Sequence, residues 1–254
     1  MTEQLTAMAS DFDGTLYFMQ NADKYRPGDL EAIYHFQNRG GLFGLCTGRS
    51  LRGILDTEGG RAVDWDFYLL ASGALILDRD RHVLHRECIS RRLMKEIHRR
   101  YEERVEIVVQ ANDTVYNLRD TYTLQQTVAS LDDIEGDHIY GLSFGAASRE
   151  EAAQIAAEIN RDHAGEVTAR VNVTHVDISP AGCSKGSALR FIRRRLGITC
   201  CGGIGDSFND LPMLQAADRS FTFPAAPEAV RRAVDDIVES VAEALAILQR
   251  PAAR

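Results

Sequence analysis

The sequence is poor in the residues and runs that mark several protein classes. Its 254 residues include 6 Pro, 1 Trp and 5 Cys. The cysteines (Cys46, Cys88, Cys183, Cys200, Cys201) are odd in number and scattered, with no C-x-x-C pair, so neither a disulfide framework nor a zinc site is expected. Thiols buried as small apolar groups are the expectation for all five. The longest uncharged apolar run, residues 67–77, is too short to span a membrane. The first residues lack a basic start followed by an apolar stretch, and a cytoplasmic location is expected. Basic residues are outnumbered, 29 against 37, for a net charge of −8, which speaks against nucleic acid or an anionic membrane as partner. A phosphorylated small molecule would need locally placed cations. What remains, 44% hydrophobic and 26% charged residues, is the composition of a packed globular chain.

Apolar patterning gives the organisation. Residues 5–10 read as a strand that ends at Asp11, and Pro27 opens a helical pattern with Leu30, Ile33 and Tyr34 on one side, closed by Gly40 and Gly41. Residues 42–46 and 67–70 are buried strands, so the first third predicts half of an open α/β sheet with parallel strands. The charged stretch 78–82 reads as a linker. Beyond it, Leu93, Met94, Ile97 and Tyr101 form a helical stripe, followed by strands over 106–110, 114–118 and 138–144. Ser148 and Glu151 form a capping box before Ala152, Ile155, Ala156 and Ile159, with strands again over 166–172 and 174–178. Helix-strand-strand thus occurs twice, predicting an inserted α+β domain built on an αββ repeat. After Pro180 a helix over 186–196 and a strand over 200–204 return to the α/β pattern. The expectation is a discontinuous core, residues 1–77 and 181–254, with residues 78–180 inserted as a second domain.

Four motifs sit where strands end or helices begin: Asp11-Phe12-Asp13-Gly14-Thr15, Thr47-Gly48-Arg49, Ser184-Lys185-Gly186 and Gly205-Asp206-Ser207-Phe208-Asn209-Asp210. Ligands of open parallel sheets bind at the carboxyl ends of strands, so these motifs are expected to converge. Hard divalent cations such as Mg²⁺ take carboxylate oxygens, and Asp11 and Asp206 suit that need. Asp11 can attack phosphorus as a nucleophile, while Asp13 can protonate a leaving oxygen and later deprotonate water. Thr47 and Lys185 can neutralise phosphate oxygens, and Asn209 and Asp210 can orient the waters of a metal and the lysine. Asn209 and Asp210 also read as a helix N-cap before Leu211.

The ordered set resembles the four motifs of the haloacid dehalogenase (HAD) superfamily. The insert with its αββ repeat resembles the type IIB (C2B) cap of the Cof-like phosphatases, and the tail from Phe223 is similar to the family's final strand and helix. The resemblance implies a Rossmannoid core with a C2B-type cap, and an enzyme: a Mg²⁺-dependent phosphatase. Its substrate would be a small phosphorylated metabolite, a sugar phosphate before others, hydrolysed through an aspartyl-phosphate. It further implies Asp11 as nucleophile and Asp13 as acid/base. Asp11, the Asp13 backbone carbonyl and Asp206 would hold the metal, and Thr47, Gly48 and Lys185 the phosphate. The alternatives are a phosphosugar mutase or phosphotransferase and, from a different class, a non-hydrolytic phospho-aspartate receiver or metabolite-binding module. Asp13 speaks against the receiver, which needs no acid/base beside its phosphorylated residue.

One departure is Ser72-Gly73-Ala74, where Cof-like sequences often have Asn-Gly-Ala. Residues 17–26, with Phe18, Met19 and Tyr25, are assigned no chemistry. Arg49 is a candidate substrate contact, with a structural pairing equally open. The seven histidines show no metal-ligand spacing and read as surface residues, and Arg193-Arg194-Arg195 reads as a solvated helix end. Oligomeric state is not encoded in any of these features.

Overall fold

A computed structural model of the protein describes residues 5–102, 106–118 and 126–250. The chain forms two compact units, Met1–Gly48, Thr57–Leu84 and Ser184–Arg254 in one, Arg49–Asp56 and His85–Cys183 in the other. The short segment Arg49–Asp56, assigned to the core by sequence, packs with the second unit. There the helix Leu51–Leu55 meets the strand Thr114–Asn117, and the Arg52 amide donates to the Asp113 carbonyl at 2.9 Å.

The first unit is built on an eight-stranded sheet. Its order is Asp236–Ile237, Arg219–Thr222, Cys200–Ile204, Thr6–Ser10, Leu42–Cys46, Phe67–Leu70, Leu75–Asp78, Val83–Arg86. Pairing is parallel from Asp236–Ile237 through Phe67–Leu70 and antiparallel between Phe67–Leu70 and Leu75–Asp78. Thr6–Ser10 is central because the next strand in sequence lies on one side of it and the strand that follows the insertion lies on the other. Strand order reverses at that point, which opens a crevice at the carboxyl end of Thr6–Ser10.

Successive residues of a strand face opposite ways, and the sheet is covered on both faces. A Cβ on Gly202 would meet Leu248 of the helix Val241–Leu248, whereas one on Gly203 would meet Met213 of Leu211–Leu214. The helix Asp29–Asn38 lies against Val241–Leu248. On the other face Ala7, Ala9, Phe67 and Leu69 pack with Ala188, Leu189 and Ile192 of the helix Lys185–Leu196. Within Asp29–Asn38 the buried residues are Asp29, Ile33 and Phe36, and Tyr34 is exposed, so the sequence stripe is rotated from the one expected.

The charged stretch expected to be a linker is instead a hairpin turn. The Asp78 amide donates to the His82 carbonyl and the Asp78 carboxylate accepts from the His82 amide, joining Leu75–Asp78 to Val83–Arg86. Charge hides this pair because an edge of the sheet is solvated and tolerates it. Two further expectations fail on burial: of the five cysteines Cys88 is exposed and Cys200 only half-buried, and His163, at the C-cap of Arg149–Asp162, is buried.

The second unit is a six-stranded sheet in the order Val167–Asn172, His175–Pro180, Ile139–Gly145, Glu106–Ala111, Thr114–Asn117, Gln126–Thr127. All pairs are antiparallel except the last. Two αββ segments flank Ile139–Gly145. Leu93, Met94, Ile97 and Tyr101 of the helix Arg91–Tyr101 and Ala152, Ile155 and Ile159 of Arg149–Asp162 share one core with Val109, Phe144, Val176 and Ile178. Ser148 caps the second helix by accepting from the Glu151 amide at 3.1 Å, and the Glu151 carboxylate accepts from the amide of Ala147, one residue before the cap. The Tyr101 hydroxyl donates to Glu158 at 3.0 Å, tying the two helices together.

Candidate active site

Three of the four motifs' key groups meet at the crevice of the first unit. Asp11 follows Thr6–Ser10, held by its amide on the Ile204 carbonyl at 2.9 Å, and Asp206 follows the neighbouring Cys200–Ile204. Lys185 is the first residue of Lys185–Leu196, where Ser184 accepts from the Ser187 amide at 3.0 Å and the Ser187 hydroxyl oxygen accepts from the Ser184 amide at 2.9 Å. Lys185 is 1% exposed, and its Nζ donates to Asp11 Oδ1 at 2.5 Å and Asp210 Oδ1 at 2.6 Å. An ammonium has three donors, so this geometry uses two of them.

Asp210 organises the loop that carries Asp206. Its Oδ2 accepts from the amides of Asp206 (3.1 Å) and Ser207 (2.9 Å) and from the Ser207 hydroxyl, whose Oγ lies 3.1 Å away. Asn209 Oδ1 lies 2.6 Å from Ser207 Oγ. The cap expected before Leu211 is not made by these side chains: Asp210 has helical backbone and gives the helix Leu211–Leu214 no side-chain cap, and its carboxylate instead closes a capping box with Ser207 on the turn Phe208–Asp210 while also binding the lysine. Asp206 Oδ1 accepts from Thr15 Oγ1 at 2.8 Å. Nothing local to the first motif gives Thr15 this role, since the contact joins residues 191 positions apart.

Carboxylate oxygens of Asp11, Asp206 and Asp210 lie within 4.8 Å of one another. Three carboxylates face one ammonium. Burial, and then the Asp210 charge, pushes the Asp11 carboxyl from its ordinary 3.8 up to about 8, against the pull of Lys185. Burial likewise raises Asp206, which shares a hydrogen bond with Asp11. Burial alone would discharge Lys185, yet Asp11 and Asp210 outweigh it and hold the ammonium above its ordinary range. Crowded carboxyl groups on all-oxygen donors, with burial and the Asp210 charge disfavouring the ionised form of Asp11, are the complement of a hard divalent cation, whose charge would favour that ionised form. Space agrees, since Gly14 has φ +79° and a Cβ there would stand 2.9 Å from Asp206 Oδ2. The residues fit a hard divalent cation.

Thr47 is buried beyond Leu42–Cys46, its amide donating to the Leu69 carbonyl at 2.8 Å while its own carbonyl accepts from Ser72 at 3.1 Å. Ser72 lies in the left-handed region, φ 54°, after Ala71 at φ 48° and before Gly73 at φ 94°. Asn tolerates that conformation better than Ser does, so the departure from Asn-Gly-Ala places strain directly behind Thr47. Gly73 is required on two counts. Besides its φ, a Cβ would fall 2.3 Å from the carbonyl oxygen of Ser184, the residue that caps the Lys185 helix. Gly73→Ala is expected to cost about 2–4 kcal/mol of stability, read as a lowered denaturation midpoint, because backbone must move.

The remaining sequence candidates are placed differently. The Asp13 side chain is exposed and is not one of the three grouped carboxylates; Gly48 follows Thr47, 3.5 Å from Ser72 Oγ as measured from a Cβ built on it. Arg49 belongs to the second unit, where its Nη1 donates to the Gly53 carbonyl at 2.9 Å. Arg193 is more than a solvated end: its guanidinium grips Asp218 at 2.7 and 2.9 Å and the Ala216 carbonyl at 3.0 Å. In the second unit a cavity of about 410 Å³ is lined by Leu51, Arg52, Asp56, Asn112, Tyr116 and Gln126 among others.

Comparison with known proteins is consistent with this geometry. Solved structures with the same fold include a phosphatase of the haloalkanoate (HAD) enzyme superfamily from Bacteroides thetaiotaomicron, at 22% identity, covering 97% of this chain and 96% of that one, with a TM-score of 0.80. A haloacid dehalogenase-like hydrolase from B. subtilis is 20% identical, covering 96% and 98%, with a TM-score of 0.81. A protein from Thermotoga maritima is 19% identical, covering 99% of each chain, with a TM-score of 0.78. A search of curated proteins gave no match. The model of the haloacid dehalogenase-like hydrolases matches residues 8–249, nearly the whole chain, and the protein belongs to that family.

Proposed function

We propose that the protein is a Mg²⁺-dependent phosphatase of a small phosphorylated metabolite, a sugar phosphate before others, working through a phospho-aspartate at Asp11. The observation that supports this most is the buried cluster in which Lys185 bridges Asp11 and Asp210 beside Asp206.

Asp11, Asp206 and the Asp13 backbone carbonyl would hold the cation. When bound, Mg²⁺ supplies the positive charge that lets an anionic carboxylate approach an anionic phosphate. Asp11 attacks phosphorus, forming the Asp11 O–P bond as the ester P–O bond breaks. Asp13, whose side chain is exposed, gives a proton to the departing oxygen and then takes one from the water that hydrolyses the acyl phosphate. Lys185 has one N–H left after its two carboxylate bonds, and that donor, with the Thr47 hydroxyl and the Gly48 backbone, neutralises phosphate oxygens. Asn209 and Asp210 hold the loop, and through it Asp206, in place.

Arg49 is kept as a substrate contact and the inserted unit as the selector of the leaving group. The partner is a small molecule rather than nucleic acid or membrane, in keeping with the net charge of −8; among the described residues no helix is long and apolar enough to cross a membrane. A cytoplasmic location completes the proposal. The test is release of inorganic phosphate from p-nitrophenyl phosphate and a panel of sugar phosphates, with and without Mg²⁺. Cation-dependent turnover is expected. A labelled protein that keeps its phosphate for many minutes would favour a receiver instead, and transfer of phosphate to a sugar hydroxyl would favour a mutase.

A further inference from the structure

Arg26 lies in the stretch between the nucleophile strand and the first helix, to which sequence reasoning assigned no chemistry. This stretch is ordered by its own bonds: the Phe18 amide donates to the Lys24 carbonyl at 2.9 Å and the Asn21 amide to the Phe18 carbonyl at 3.0 Å. The Arg26 guanidinium carbon stands 4.4 Å from the ring centre of Phe18 and 3.8 Å from that of Phe223, so an aromatic ring faces it at each distance. Its edge donates from Nη1 to the Thr15 carbonyl at 2.8 Å.

Thr15 is fully buried and has one hydroxyl proton, which it gives to Asp206 Oδ1 at 2.8 Å. Thr15 thus holds one side of the Asp206 carboxylate, which also shares a hydrogen bond with Asp11, and Arg26 holds the Thr15 carbonyl. Phe223 closes the arrangement. It follows the strand Arg219–Thr222, whose Thr222 hydroxyl donates to the Gly205 carbonyl at 2.7 Å, directly before Asp206. Arg26 thus ties the loop after the nucleophile to the two segments that border Asp206. A planar guanidinium is needed, since an ammonium offers neither a flat face to aromatic rings nor a fork.

We propose that Arg26, held by Phe18 and Phe223, is a positioning residue that orients Asp206 through Thr15 for binding a divalent cation. The inference rests on the metal reading of the site. Partners of this kind behind a metal ligand are worth about 10- to 100-fold in affinity.

Mn²⁺ binding to the full-length chain, followed by the electron paramagnetic resonance signal of free Mn²⁺, reads this without turnover. Arg26→Gln and Arg26→Lys are each expected to weaken binding about tenfold or more, with the circular dichroism spectrum of the wild type. Thr15→Val should weaken it similarly, and the double variant Thr15→Val/Arg26→Gln should be no weaker than the worse single one, because both act on one path. Phe223→Leu, which removes one ring and keeps most of the volume, should give a several-fold loss and serves where Arg26→Gln does not fold. Wild-type affinity in Arg26→Lys, or additive losses in the double variant, overturns the inference. A wild type that binds no Mn²⁺ overturns the metal reading and this inference with it, whereas tight wild-type binding with unaltered variants overturns the inference alone.

Discussion

Asp11→Asn is expected to lower phosphate release by at least about 10⁴-fold while the chain keeps its fold, because the amide can neither attack phosphorus nor carry the charge a cation needs. The same substitution should change stability in the opposite sense. In the metal-free chain the Asp11 carboxyl is pushed up by burial and by Asp210 to about 8, whereas in the unfolded chain it titrates near 3.8. Between those two values the folded state holds a proton that the unfolded state has released. The free energy of unfolding therefore falls as pH rises through that window and levels off above it. Asn has no proton to lose. Melting followed by circular dichroism in chelator, from pH 5 to 8.5, should show the wild type losing ground to Asp11→Asn as pH rises, and Mg²⁺ should narrow the gap. A difference between the two proteins that is constant across the window would remove the basis for a crowded, cation-seeking carboxylate at this position.

Lys185→Met tests the other half of the cluster. The lysine is buried between Asp11 and Asp210, and Met matches its length without its charge. Removing one partner of a buried ion pair leaves its counter-charges desolvated, at a cost of about 3–5 kcal/mol, and activity should vanish with it. Because the stranded groups are carboxylates, acid should relieve them. The denaturant midpoint of Lys185→Met is expected to lie far below that of the wild type at pH 8 and to recover part of the difference at pH 5. A variant as stable as the wild type at pH 8 would mean that the ammonium does little to hold the cluster, and Lys185 would then be reserved for substrate. An exposed ion pair such as Arg52 with Asp56 offers a control, since its loss should be worth less than about 1 kcal/mol.

Much of the architecture was legible because its signals are local. Alternation and apolar runs mark Thr6–Ser10, Leu42–Cys46 and Cys200–Ile204, and the stripes in Arg91–Tyr101 and Arg149–Asp162 match the buried faces observed. The hairpin after Leu75 was not legible, because its turn is made of charged residues that resemble a linker. Tyr34 is exposed against expectation for a related reason: period alone cannot tell which edge of an apolar stripe the neighbouring helix covers. The helix Leu51–Leu55 follows a core motif in sequence, and only its contacts with Thr114–Asn117 place it in the other unit.

For the site, sequence alone determined which chemical groups are present and in what order: Asp11, Asp13, Thr47, Lys185, Asp206 and Asp210, each at the end of a strand or the start of a helix. Carboxylates, a hydroxyl and an ammonium at such positions are a local property of the chain. The tertiary structure decided what those groups do to one another. Which carboxylate oxygens Lys185 occupies, how far burial raises Asp11, and that Thr15 and Arg26 stand behind Asp206 all depend on segments nearly two hundred residues apart meeting at the carboxyl ends of central strands. Desolvation and charge proximity are properties of the assembled crevice, and no window of sequence contains them.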